Sequence, residues 1–179
     1  MVKSIKNAVG ILGGSFDPAH KGHLTISKIA LRKLKLKKLY WVITKKNPFK
    51  KKTFFSLKDR LYLSRKVVKN LKNIQVLYLD EIVKSSRSID IIKYISKRKK
   101  IKNLYFIIGS DILLELHKWK SWKKIVKLAK LIVFSRKGYD RKSKESIVAK
   151  YLNKKNIIFI NNNPINISSS SLRKKYKSI

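Results

Sequence analysis

Short apolar runs that alternate with amphipathic stretches constrain this chain most. Leu39-Tyr40-Trp41-Val42-Ile43 is an unbroken apolar run flanked by Lys38 and Thr44, the pattern of a strand buried on both faces. The stretch before it reads differently: Ile26, Ile29, Ala30 and Leu34 recur at helical spacing with lysines between them, the pattern of an amphipathic helix. Read this way throughout, the sequence predicts strands at about 7–12, 39–43, 74–79, 104–108, 131–134 and 157–160. It predicts helices at about 22–35, 56–70, 88–97, 112–116, 143–152 and 168–175, with a segment around Trp119 and Trp122 leading to Ala129. The second helix opens on Ser56-Leu57-Lys58-Asp59, a capping box with Asp in place of Glu. Strands that alternate with helices over the full length define an α/β protein with βα units. The expected fold is a Rossmann-like open parallel sheet with helices on both faces. No repeat or linker divides the 179 residues, so one domain over 1–179 is expected.

In such sheets ligands bind beyond the carboxyl ends of the strands. Gly13–His23, Thr44–Lys52, Gly109–Asp111, Ser135-Arg136 and Asn166–Arg173 all follow strands in this reading. They should therefore share one edge and form one site.

The most informative of these is Gly13-Gly14-Ser15-Phe16-Asp17-Pro18-Ala19-His20-Lys21-Gly22-His23, which follows the first strand. Small residues at Gly13, Gly14 and Ser15 let backbone approach a ligand closely. A helix starting just after them offers unpaired N–H groups and a positive dipole end, which suits phosphate. His20 and His23, three apart, project to the same side of its first turn. Neither G-x-G-x-x-G after the first strand nor G-x-x-x-x-G-K-[ST] is present, so the usual dinucleotide fingerprint and the P-loop are excluded. The constellation suits nucleotidyl transfer, in which an anionic nucleophile attacks the α-phosphate of ATP and pyrophosphate leaves. That reaction needs positioning and charge stabilisation rather than a protein nucleophile, together with Mg²⁺ held mainly by the phosphates. His20 and His23 can donate hydrogen bonds to phosphate oxygens, and Gly22 leaves room for base or ribose. Zinc is disfavoured, because His117 lies far away in sequence and the chain has no cysteine. No protein metal site is assigned.

Lys+Arg 46 against Asp+Glu 9 gives a formal charge of +37. Scattered lysines point to drift of composition, with steering of anionic substrates a secondary consequence. A basic nucleic-acid-binding module remains the non-enzyme alternative, and no dedicated nucleic-acid partner is expected. Absence of cysteine fits a reducing compartment. No stretch approaches the roughly 20 apolar residues of a membrane span. A cytoplasmic protein is expected, without a membrane partner, and several copies in one assembly are compatible with the sequence.

The Gly13–His23 stretch resembles the N-terminal signature of the bacterial nicotinate-nucleotide adenylyltransferase family, within the H-x-G-H nucleotidyltransferase superfamily. Phe106-Ile107-Ile108-Gly109-Ser110-Asp111-Ile112-Leu113, with Trp119 downstream, resembles that family's G-[AS]-D-x-[LM] segment. Ile167-Ser168-Ser169-Ser170-Ser171-Leu172-Arg173 resembles its C-terminal I-S-S-T-x-[IV]-R block. Three blocks in the family's order span nearly the whole chain.

The resemblance implies transfer of AMP from ATP to nicotinate mononucleotide. It implies that His20 and His23 are catalytic and that Gly13, Gly14, Ser15, Phe16 and Gly22 line the ATP. Gly109 and Asp111 would hold the adenosine side, and Ser169, Ser170 and Arg173 the triphosphate. Trp119 would stack on the pyridine ring, with Ser88, Lys50 and Arg136 also on the mononucleotide side. Packing is the competing role for Trp119 and the favoured one for Trp122; one serine of Ser168–Ser171 should cap its helix. Departures occur at Ser170, where the family has threonine, and at Ile91, which ends the segment Ser85–Ile91 in place of a threonine. The alternative acceptor within the same chemistry is pantetheine phosphate.

Overall fold

In the computed structural model, described over residues 7–45, 52–98, 101–162 and 168–177, the apolar runs form one sheet. β1 (Val9–Gly14), β2 (Lys38–Ile43), β3 (Ile74–Leu77), β4 (Leu104–Gly109), β5 (Lys130–Phe134) and β6 (Ile157–Ile160) are all parallel, in the order β3-β2-β1-β4-β5-β6. β1 lies between β2, with Leu12 opposite Trp41, and β4, with Leu12 opposite Ile107. The order reverses between β1 and β4, and that is where a crevice opens in such folds.

Burial on both faces follows from the two-residue period of a strand. Ile11, Val42, Phe106, Ile108 and Val133 point to one face, where they pack with Ile92 and Ile95 of α4 (Ser88–Arg98) and Ile125 of α6 (Trp122–Leu128). Leu12, Trp41, Ile43, Ile107 and Phe134 point to the other, against Ala30 of α1 (Lys21–Lys33) and Val68 of α2 (Leu57–Val68). The remaining helices are α3 (Asp80–Val83), α5 (Ser110–Glu115), α7 (Asp140–Lys144), α8 (Ile147–Leu152) and α9 (Ser169–Lys177). Helices thus cover both faces, as the α/β reading requires.

Three local features depart from the sequence reading. The helix expected at about 143–152 is two helices, because the Ser146 hydroxyl accepts from the Ala149 N–H at 3.3 Å and starts a new one. α3 and a 3₁₀ turn at Leu116–Lys118 are additional elements; four and three residues are too short to show a period. β1 also runs two residues further than expected, since Gly13 and Gly14 stay in register with Val42 and Ile43.

Candidate active site

α1 begins with its two histidines capping each other. The His20 Nδ1 accepts from the Gly22 N–H at 3.0 Å, and the His23 Nδ1 accepts from the His20 N–H at 3.3 Å. This is a capping box built from imidazoles. A Nδ1 that accepts leaves the ring proton on Nε2, so both rings carry a donor on the side away from the helix backbone. Their centroids are 4.0 Å apart. Burial, with Arg136 adding to it, lowers the His20 pKa from 6.5 to about 4. His20 is therefore a neutral donor at physiological pH. No acidic residue occupies the first turn of α1, so the positive end of its dipole is open to an anion.

The ring of Phe16 continues the column, 4.7 Å from His23 and 5.0 Å from Trp41. Phe16 is buried, so its ring packs and only its backbone can face a ligand. Trp41 donates from Nε1 to the Ser27 hydroxyl at 2.8 Å, and Ser27 donates to the His23 carbonyl at 2.7 Å. Both side chains are fully buried. They fix the helix turn that carries His23 from beneath.

Near the end of β1, Gly13 is exposed, and a Cβ there would come no nearer than 3.8 Å to the Phe106 ring. The protein's own packing leaves that space unfilled. Gly109, at the end of β4, is the opposite case: a Cβ would strike the Asp111 carboxylate and come within 2.8 Å of the Arg136 Nε. Only glycine permits that close approach. Arg136 pairs with Asp111 at 3.2 Å, and its backbone N–H donates to the Ser110 hydroxyl and to Asp140.

The C-terminal block returns to the same turn. Ser169 donates to the Pro18 carbonyl at 3.0 Å, and Arg173 donates to the Asp17 carbonyl at 2.7 Å and to the Ser170 hydroxyl at 2.9 Å. Ser168 caps α9 by accepting from the Ser171 N–H at 3.0 Å. Residues some 150 apart in sequence thus meet at one place. Trp119 lies edge-on to Phe106, with centroids 6.3 Å apart, and Trp122 packs edge-on to Tyr151 at 5.0 Å. Ser88 opens α4 beside a cleft of about 690 Å³ lined by Lys84, Ser85, Arg87 and Asp90. Pro48 and Lys50, and Ile167 of the C-terminal block, lie outside the described residues.

Three charged residues, of which Arg60 and Asp17 are buried, escaped the sequence reading. Arg60, on the inward stripe of α2, donates to the Ser15 and Thr44 carbonyls at 2.9 and 2.8 Å and to Lys45 at 3.2 Å. Asp80 accepts from the Thr44 hydroxyl and the Lys45 N–H. Asp17, quoted only as part of the motif, accepts from the N–H groups of Phe54 and Phe55 at 2.8 and 2.9 Å. The available signal was a position: Leu57, Arg60, Leu61, Ser64 and Val68 share one helical face, and a cation on an apolar stripe needs partners. Among the described residues no helix is long and apolar enough to cross a membrane, and no three His, Cys, Asp or Glu side chains form a metal cluster.

A parallel sheet with a glycine turn and paired histidines at its switch point is the architecture of a nucleotide-binding α/β protein. The chain belongs to the cytidylyltransferase-like family, whose model matches residues 11–175. It is 48% identical over 169 residues to a protein of Pelagibacter ubique named as a probable nicotinate-nucleotide adenylyltransferase, covering 94% of this chain and 93% of the relative. A Clostridium tetani protein of the same name is 34% identical over 93% of this chain and 86% of its own length. The fold is similar to Plasmodium falciparum nicotinic acid mononucleotide adenylyltransferase complexed with NaAD, with a TM-score of 0.75 and 22% identity over 94% of this chain and 83% of that one.

Proposed function

We infer that this protein transfers the adenylyl group of ATP to nicotinate mononucleotide, forming nicotinate adenine dinucleotide and releasing pyrophosphate. The observation that carries the reading is the meeting of the three sequence blocks at one sheet edge, with Arg173 and Ser169 seated on the Asp17-Pro18 turn that leads into His20. In this reading a phosphate oxygen of the mononucleotide attacks the α-phosphorus of ATP, and the bond from that phosphorus to the α,β-bridging oxygen breaks, the oxygen leaving with pyrophosphate. The Nε2–H groups of His20 and His23 donate to the phosphate oxygens on which charge builds, and the α1 dipole supports the same charge. Gly13, Gly14, Ser15, Phe16 (through its backbone) and Gly22 line the nucleotide. Asp111 accepts from ribose hydroxyls beside Gly109. Ser169, Ser170 and Arg173 hold the leaving phosphates. Trp119, Ser88, Arg136 and Lys50 serve the mononucleotide, with Trp119 stacked on the pyridine.

Mg²⁺ fits this site as a passenger of the nucleotide, because both oxygens of the Asp17 carboxylate are taken by Phe54 and Phe55 and Arg136 sits on Asp111. Phosphate oxygens would be its ligands, and it supplies neutralisation of the triphosphate. The test is purified protein with ATP and each candidate acceptor, with dinucleotide followed by chromatography. Nicotinate mononucleotide is expected to give product. Product from pantetheine phosphate or nicotinamide mononucleotide alone would overturn the assignment of the acceptor.

A further inference from the structure

Arg60 is 1% exposed, yet nothing about packing α2 against the sheet requires a guanidinium. A buried cation is costly unless it is paired and hydrogen-bonded. Here burial pulls the Arg60 pKa down, while the charges of Asp17 and Asp80 oppose that. Its hydrogen bonds go to three backbone carbonyls: Ser15 in the phosphate turn, and Thr44 and Lys45 at the end of β2. The Ser15–Phe16 peptide is trans, so its C=O and N–H point in opposite directions. With the carbonyl drawn to Arg60, the Phe16 N–H points away from the guanidinium, and no acceptor among the described residues takes it. Phe16 has φ of 46°, a left-handed conformation that is unfavourable for a side-chain-bearing residue and persists only where its surroundings impose it. The surroundings are visible: Arg60 on the preceding carbonyl, and Trp41 and His23 on the ring.

We propose that Arg60 is a positioning residue for adenylyl transfer, holding the Ser15–Phe16 peptide so that the Phe16 N–H serves as a donor to a nucleotide phosphate and tying that turn to the end of β2. The proposal rests on the adenylyltransferase reading above. Arg60 itself touches no substrate; it acts through a backbone amide. The forked guanidinium is essential to this, because one planar group holds carbonyls from two separate segments. A lysine retains the charge but brings a single ammonium to the same place.

The test has two arms. In the first, unsubstituted protein labelled with ¹⁵N is titrated with ATP, and the Phe16 amide resonance is followed. A downfield shift of its proton on saturation is expected, and an unmoved resonance overturns the proposal. In the second, R60K is compared with unsubstituted protein for thermal midpoint, kcat and KM. The expected result is an unchanged fold with kcat/KM for ATP lowered on the order of tenfold or more, the scale of sub-ångström to ångström misplacement, and little change in KM for the mononucleotide. Equal losses for both substrates, or kinetics like those of the unsubstituted protein, overturn it. Should R60K fail to fold, the amide titration decides alone. Unsubstituted protein that shifts Phe16 with ATP but makes no dinucleotide sinks the choice of acceptor and leaves Arg60 in place.

Discussion

Between β1 and α1, side chains from two other segments, α2 and α9, hold the backbone. Arg60 takes the Ser15 carbonyl, Arg173 the Asp17 carbonyl and Ser169 the Pro18 carbonyl, while Asp17 in turn accepts from Phe54 and Phe55. Around Ser88, Trp119 and Arg136 the construction is looser. Arg136 is exposed, Ser88 begins a helix beside an open cleft, and Trp119 lies edge-on to one ring. In the proposed reaction the difference separates chemistry from selection. Charge stabilisation works only when donors are already aimed, so the histidine turn is overdetermined. An acceptor can be chosen by contacts made on its arrival, so that side tolerates exposed groups.

The contrast breaks most sharply at His23. His23→Ala removes one Nε2 donor and also the acceptor that holds the His20 N–H. Turnover should fall on the order of 10²-fold or more, the cost of one lost transition-state donor, with thermal midpoint near that of the parent. Steady-state kinetics with both substrates checks this. A folded mutant with unchanged kcat would show that the overdetermined turn does not carry the chemistry.

Gly109→Ala tests the one tight spot on the ATP side outside that turn. The added methyl cannot coexist with the present Asp111–Arg136 pair. We expect KM for ATP to rise on the order of tenfold as the carboxylate is displaced from the ribose hydrogen bonds proposed for it, each charge-assisted one contributing about 1.5–3 kcal/mol. Unchanged ATP kinetics would mean that Asp111 has no part in nucleotide binding.

How much of this was legible depends on the range of the interaction. The six strands and the shared edge follow from patterns within ten residues, so the sheet and its ligand side could be read directly. The same is true of the helix start at His20, where spacing alone puts two imidazoles on one turn. The reciprocal capping of the rings could not be read, because either histidine alone gives the same pattern. Trp41 reads as plain core in the run Leu39–Ile43; that its indole N–H supports the His23 turn through Ser27 depends on packing across 14 residues. The roles of Asp17 and Asp80 depend likewise on which distant N–H groups arrive. Of the nine acidic residues in a chain of charge +37, Asp17, Asp80, Asp90, Asp111 and Asp140 all accept hydrogen bonds or pair with cations at the ligand edge. Composition alone suggests that acids are residual; placed in the fold, they are concentrated where they organise the site.

On the looser side, Trp119→Ala should raise KM for the mononucleotide severalfold to about tenfold, the value of about 1 kcal/mol or slightly more for a stacked ring. KM for ATP should change less. The reverse pattern would make Trp119 a packing residue and place the pyridine elsewhere.

The smallest expected effect is in stability against pH and isolates His20. Its pKa is about 4 in the folded protein, against 6.5 in the unfolded chain, through burial and then Arg136. Above pH 6.5 the ring is neutral in both states, and its full contribution is present. Between 6.5 and about 4 the unfolded chain binds a proton that the folded one does not, so stability falls as pH falls. Below about 4 both states are protonated and the decline from this group ends. His20→Asn keeps a side chain able to cap α1 but cannot titrate. Urea unfolding at pH 7, 6, 5 and 4.5 should therefore give a shallower acid-side decline for the variant, by less than one proton's worth of slope, while the carboxylates common to both proteins cancel in the comparison. Parallel curves would show that His20 is not held neutral, and a charged imidazole would then face the incoming phosphate.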